Sequence, residues 1–310
     1  MKKALVICGP TATGKPSLGL KLAKKYNGQI ISADSRQVYK GMDIGTGKDL
    51  PLNAKQQKDG HYLINGIKVW GYDLINPNQD FSVGHFIKFT KPLIKKIHHQ
   101  NQLPILVGGT GLYLKAVTGS IDTINIPPNP SLRKKLEKLS RTKLANTLKK
   151  INPDKFNSLN NSDSLNPRRL IRAIEVAIHN QKSLKPKSLK LDSLWLGLTA
   201  DKKILDANIK ARVIKRIKFG SQKEVESLIK KGYSFNLPSM SAMGYKQWRL
   251  FFDKEIATKE LEQTWNLAEK QYLRRQLTWF NKQKNINWFD ISKPDYYQHI
   301  VNQVATWYTK

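Results

Sequence analysis

The stretch Gly9-Pro10-Thr11-Ala12-Thr13-Gly14-Lys15-Pro16 has residue types and spacing suited to anion chemistry. It lies between an apolar run, Ala4-Leu5-Val6-Ile7-Cys8, and a helical pattern from Leu18 to Lys25. Strand, glycine-bounded loop and helix form the setting that a phosphate-binding loop requires. Backbone N–H groups would face the anion at the helix N-terminus, and Lys15 would add a full positive charge beside the phosphate oxygens. One position breaks the pattern. The Ser or Thr whose hydroxyl normally meets Mg²⁺ is Pro16, so the sequence leaves the metal ligand unassigned.

Two further groups belong on the same rim. Gln29-Ile30-Ile31-Ser32-Ala33-Asp34 reads as a short apolar strand ending on a carboxylate, followed by a glycine-punctuated loop from Ser35 to Gly47. Leu103-Pro104-Ile105-Leu106-Val107 reads as a buried strand closed by Gly108-Gly109-Thr110-Gly111-Leu112-Tyr113. In open α/β sheets, ligands sit beyond the carboxyl ends of the strands, which sets Asp34 and the second glycine loop beside the phosphate loop. Asp34 also suits a helix N-cap or a turn, and position alone does not separate the roles.

Basic groups recur downstream. Arg168, Arg169 and Arg172 gather at the start of a helix that follows Pro167. Cations there oppose the helix dipole, which favours an anionic partner, although a solvated basic face fits the same pattern. Arg212 and Arg216 stand one turn apart in a helical region from Ile204 to Lys231. A long helix from about Thr258 to Lys282 carries Lys270, Arg274, Arg275, Gln276, Thr278 and Trp279, with Tyr272 and Phe280 among them. Cations interleaved with aromatics suit phosphate contact plus base stacking, with Phe280 read as core.

The elements that must position these groups follow from pattern. Ser82 to His99 has helical spacing, and Trp195–Thr199 and Ile286–Ile291 read as strands. Tyr62 to Trp70 reads as a hairpin with an Asn65-Gly66 turn, taken as a surface elaboration. The βαβ alternation argues for a right-handed parallel sheet. Between Thr118 and Ser164 the composition turns to Asn, Lys, Ser and Pro with helical stretches, which reads as a small helical insertion at 119–164 within a core of 1–118 and 165–310.

The chain has 310 residues, 39% of them hydrophobic, enough for a sizeable core. Lys and Arg number 54 against 23 acidic residues, a net charge of +31 that points to a polyanion, nucleic acid first, with a merely lysine-rich surface as the alternative. The single Cys8 excludes a disulfide framework and a cysteine metal site. No stretch has the length of a membrane span and no signal-peptide pattern opens the chain, so a cytoplasmic protein is expected.

Taken together, Gly9-Pro10-Thr11-Ala12-x-Gly-Lys, the long run from Ser32 through Asp34 to Thr46, Val107–Tyr113, Pro167-Arg168-Arg169 and Gln276–Phe280 resemble the tRNA dimethylallyltransferases, also called tRNA isopentenyltransferases, in family order over nearly the whole chain. The resemblance implies an α/β fold with a P-loop NTPase-like parallel sheet flanked by helices and an inserted helical domain that grips the anticodon stem-loop. It implies transfer of a dimethylallyl group from dimethylallyl diphosphate to N6 of adenosine 37 in tRNA, with Mg²⁺ as cofactor and a monomer as the working form. Gly9 to Pro16 would then hold diphosphate, or ATP in a nucleoside-phosphate kinase using the same loop. Thr11, Lys15 and Arg212 would stabilise the leaving diphosphate, and Asp34 would take the proton from the adenine amino group. Asp34, Ser35, Arg36, Gln37, Thr110, Gly111, Arg168, Arg169, Arg172, Lys270, Arg274, Arg275 and Gln276 would contact tRNA. The family's Arg-Ile-x-x-Arg segment reads Asn208-Ile209-Lys210-Ala211-Arg212 here, and its His-His-Leu-Ile-Asp segment reads Gly71-Tyr72-Asp73-Leu74-Ile75. Pro16 removes a hydroxyl and an N–H from the anion nest and biases Lys15 away from helical dihedrals. Hence the alternative expectation is a weakened or inactive tRNA-binding homologue.

Overall fold

The computed structural model describes residues 2–51, 54–119, 123, 126–179 and 191–309. The chain divides into two compact units, Met1–Gly119 with Leu189–Lys310, and Ser120–Ser188.

In the larger unit, β1 (Lys2–Cys8) is apolar at every position from Ala4 to Cys8, and these five residues are fully buried. A strand covered on both faces reads as such a continuous run. The phosphate-loop segment leads into α1 (Lys15–Lys25), and β2 (Gly28–Ser32) returns to the sheet. The hairpin β3 (Tyr62–Ile64) and β4 (Ile67–Trp70) turns through Asn65 and Gly66, both at positive φ as such a tight turn demands. It is not a surface elaboration. β4 pairs parallel with β2, and Tyr62, Ile64, Val69 and Trp70 are buried, so the hairpin completes one edge of the central sheet. Next come α2 (Val83–His99), capped by Ser82 and His85, then β5 (Leu103–Val107) and α3 (Gly111–Thr118).

The smaller unit is helical: α4 (Pro130–Leu136), α5 (Arg141–Ile151), α6 (Pro153–Asn157), α7 (Asn161–Ser164) and α8 (Pro167–His179). Its core joins Leu136, Leu144 and Leu148 to Leu170, Ile171, Ala173 and Ile174 of α8. This corrects the expected boundary. The unit does not end at 164, because the apolar face of α8 is the surface on which α4 and α5 bury theirs. Within the expected insertion 119–164, residues 120–122, 124 and 125 lie outside the described residues.

The chain then re-enters the sheet as β6 (Leu191–Thr199), four residues earlier than the pattern suggests. The region 204–231 is two helices rather than one, α9 (Lys202–Lys218) and α10 (Ser221–Lys230), broken at Gly220, whose φ of 97° a helix does not permit. There follow α11 (Tyr245–Phe252), the long α12 (Thr258–Phe280), β7 (Ile286–Asp290) and α13 (Tyr296–Thr309). The strand order is β3-β4-β2-β5-β1-β6-β7, parallel throughout except for the β3–β4 hairpin. One core lies against the sheet, where Leu18 and Leu22 of α1 and Ile300 and Val304 of α13 pack with the strands. A second joins α9–α12 around Tyr245, Trp248, Leu261 and Trp265.

Candidate functional site

The carboxyl ends of β1, β2 and β5 open onto a cleft of about 860 Å³, lined by Thr11 to Ser17, Asp34 to Gln37, Gly108 and Gly109. Side chains of α9 and α12, among them Arg212, Glu269, Tyr272 and Gln276, close the opposite wall. This is the place where an open parallel sheet presents its ligand site.

The first wall is the loop after β1. Gly9 has a φ of 123° and sits where a Cβ would collide with the Leu198 carbonyl, so no other residue lets the chain leave the strand this way. Ala12 and Gly14 are also left-handed, which curls the loop. The Thr13 hydroxyl donates to the Pro10 carbonyl at 2.9 Å, and Lys15 Nζ reaches the same oxygen at 2.5 Å. Gly9 and Pro10 themselves lie buried behind the lining. Lys15 is the first residue of α1 and Pro16 the second. The helix thus begins at Lys15 in spite of the bias that a following proline imposes. A proline in the first turn lacks only an N–H that has no intrahelical partner, and its fixed φ suits the helix.

The two helices of the far wall hold the loop. On α9, Asn208 Nδ2 donates to the Ala12 carbonyl at 3.1 Å, and Arg212 donates to the Thr11 hydroxyl and, at 3.1 Å, to Glu269. Arg216 donates to the other oxygen of Glu269 at 2.9 Å. On α12, Gln276 accepts the Thr11 N–H at 2.8 Å and donates to the Gly109 carbonyl at 3.1 Å, tying the two glycine loops together. Burial, and then the neighbouring Arg212, pull Lys15 down from the usual 10.5 to about 8. Burial drives Arg216 down to about 10 and the Cys8 thiol up to about 12, which leaves Cys8 an inert part of β1.

Asp34 stands two residues past β2, with one oxygen accepting the Arg36 N–H at 2.8 Å. It thus acts as a turn former, and it is among the residues that line the cleft. Ser35 donates its N–H to the Thr110 hydroxyl at 3.2 Å, and Thr110 is in turn bonded to Tyr272. Gly111 packs so closely on Trp279 that a Cβ would overlap the indole. Arg36 donates to the Pro238 carbonyl at 2.7 Å and to Ser241. Gln37 lines the cleft but its amide is committed, accepting from Ser32 at 2.7 Å and donating to the Gly47 carbonyl at 2.8 Å. Its placement is that of a loop anchor rather than of a free base contact.

The remaining basic residues separate by environment. Arg275 lies over the Tyr272 ring at 5.7 Å on the cleft wall, Lys270 pairs with Asp206 at 3.3 Å, and Arg274 is exposed. In the helical unit, Arg172 is engaged with Glu175 and with the carbonyls of Thr123 and Ile126, and Arg169 with Asp163. Burial alone would raise the Glu175 carboxyl, but Arg133, the Asn129 N–H and Arg172 hold it down to about 2. Arg172 is therefore a brace of that unit, while the exposed Arg168 side chain keeps its donors.

Sequence reasoning missed two carboxylates. Glu224 accepts the N–H groups of Asp43, Ile44 and Gly45 at 2.8, 2.7 and 3.0 Å and the Tyr245 hydroxyl at 2.6 Å, which fixes the loop after Asp34. Glu269 is buried between two arginines, and its signal was present: it continues the buried Leu261–Trp265–Leu273 stripe of α12 at four-residue spacing. A carboxylate on such a stripe requires a buried cation.

A sequence model described as IPP transferase matches residues 37–283. The tRNA dimethylallyltransferase of Carboxydothermus hydrogenoformans is 38% identical over 305 residues, covering 94% of this chain and 93% of that protein. That of Pelotomaculum thermopropionicum is 35% identical over 310 residues, covering 97% and 95%. Among solved structures, the full-length tRNA isopentenylpyrophosphate transferase of Bacillus halodurans is similar with a TM-score of 0.71 at 32% identity, covering 99% of this chain and 97% of that one.

Proposed function

The chain belongs to the IPP transferase family, and from that premise we propose that it moves the dimethylallyl group of dimethylallyl diphosphate onto N6 of adenosine 37 in the anticodon loop of tRNA, releasing diphosphate. It is a prenyl transferase acting on tRNA. The observation that carries the proposal is the shared rim: the loop Thr11–Pro16 and the carboxylate of Asp34 line one cleft.

The chemistry follows from what each wall offers. The allylic C–O bond breaks with its electron pair leaving on the diphosphate, so the barrier depends on neutralising oxygen charge. Loop amides, Lys15 and Arg212 would meet that charge, and Gln276 and Asn208 hold the loop in shape. The N6 amine attacks the allylic carbon and must then lose a proton, which Asp34 accepts. Tyr272 lines the cleft with Asp34, Thr110 braces Ser35 and Tyr272 without lining it, and an adenine turned out of its stack would lie beside Tyr272. Arg168 and the charge of +31 support a polyanionic substrate. Mg²⁺, which a loop of this kind implies, does not find its ligand here, because Pro16 occupies the position of the hydroxyl. No step is routed through it.

The test is incubation with dimethylallyl diphosphate and unmodified tRNA, followed by mass analysis of the nucleosides. N6-dimethylallyladenosine supports the proposal. Tight tRNA binding without that product would instead establish the inactive homologue, which nothing in the relatives favours. ATP turnover without tRNA would establish a kinase.

A further inference from the structure

We infer that this chain holds its diphosphate donor with protein cations alone, and that no divalent metal bound by the phosphate loop contributes to donor affinity. The inference rests on the donor being a diphosphate. Three observations carry it.

First, the loop lacks its metal-side ligand. Pro16 has neither hydroxyl nor N–H and is the second residue of α1. Ser17 also lines the cleft, but its position is one residue on, roughly 100° further round the helix.

Second, the loop hydroxyls and Glu269 are tied into hydrogen bonds within the protein, and Asp34 spends one of its two oxygens on the backbone. The Thr13 hydroxyl is turned to the Pro10 carbonyl and the Thr11 hydroxyl accepts from Arg212. Asp34 has one oxygen on the Arg36 N–H, and Glu269 has both oxygens on arginines. Among the described residues, no group of three or more His, Cys, Asp or Glu side chains is placed to hold a metal ion. Mg²⁺ takes oxygen ligands in near-octahedral array, and the residue after Lys15, from which a phosphate loop supplies its hydroxyl, is a proline.

Third, two buried cations keep donors unspent. Arg212 Nε and Arg216 Nε are buried without a hydrogen-bond partner, and both residues line the cleft. Lys15, Lys215 and Arg275 line it as well. Buried N–H groups left open on cations await acceptor oxygens, and diphosphate supplies them. The arginine helix does here what the loop hydroxyl and its metal do in other phosphate loops.

The experiment is calorimetric titration of dimethylallyl thiolodiphosphate, a donor analogue that resists ionisation, in Mg²⁺ or in EDTA. Affinity of the unaltered chain should agree within about twofold between the two, and Lys15→Ala should lose about tenfold or more in both, the scale of one charge-assisted hydrogen bond. Pro16→Thr should acquire metal dependence, binding about tenfold more tightly with Mg²⁺ than in EDTA. Mn²⁺ paramagnetic resonance gives a second readout: with the analogue present, the protein should add no bound-metal signal, whereas Pro16→Thr should. Affinity of the unaltered chain that collapses in EDTA, or a protein-bound Mn²⁺ signal, overturns this inference and leaves the proposed function standing. Failure to bind the analogue under either condition overturns the donor assignment and this inference with it.

Discussion

Arg212 spans the Thr11 hydroxyl and the buried carboxylate of Glu269, so the orientation of the phosphate loop depends on an acid of the distant helix α12. Removing one partner from such a buried network leaves an uncompensated charge, a loss of about 3–5 kcal/mol. Glu269→Ala should therefore lower the unfolding free energy by about that amount in denaturant titration. Glu269→Gln keeps the shape and one acceptor. It should remain folded but lose about tenfold or more in kcat/KM, because Arg212 is no longer held against Thr11.

Lys15 makes donor binding pH-dependent. Its ammonium is pulled down to about 8 by burial and by Arg212, against 10.5 for a free lysine. An arriving diphosphate favours the charged form, so binding above pH 8 must take up a proton. Donor affinity should fall as pH rises through about 8, and calorimetry in buffers of different ionisation enthalpy should show net proton uptake there. For stability the sign is opposite. Below pH 8 both folded and unfolded chains carry the charge, and its burial disfavours the fold in full. Between about 8 and 10.5 the unfolded chain binds more protons, so this residue's contribution to stability rises with pH across that window.

The arginines at the start of α8 should behave differently from one another. Arg168 is exposed and carries no bond on its guanidinium among the described residues, whereas Arg172 braces Glu175 and two carbonyls. Arg168→Ala should weaken tRNA binding and reduce the slope of log affinity against log salt by about 1, without change in melting temperature. Arg172→Ala should lower the stability of the helical unit. The carboxyl of Glu175, held at about 2 against an ordinary 4.5, adds stability that is present above pH 4.5 and lost as the pH falls toward 2. Circular dichroism through an acid titration reads this directly.

Much of the site was legible because chemistry at strand ends is local. Gly9–Pro16, Asp34 and Gly108–Gly111 each follow an apolar run, and the sheet order brings those three ends together. What the sequence hid is non-local. Glu224 and the loop it caps are about 180 residues apart, and Glu269 meets Arg212 only because α9 and α12 pack side by side. The hairpin at Tyr62–Trp70 was readable from Asn65-Gly66, but its pairing with β2 depends on a partner strand some 40 residues away. The boundary of the helical unit was misread because α8 looks like any amphipathic helix, and only packing shows that its apolar face meets α4 and α5. Pro16 was visible from the outset. The structure shows that it fits the start of α1, so the fold accommodates it.

The central claim is that Asp34 takes the proton from the adenine amino group in the cleft that holds the diphosphate. The most direct measurement is single-turnover transfer from dimethylallyl diphosphate to tRNA by the unaltered chain and by Asp34→Asn, with tRNA affinity measured on both. The account predicts a rate about 10²–10⁴-fold lower for Asp34→Asn at unchanged tRNA affinity. Transfer at an undiminished rate by Asp34→Asn would contradict it.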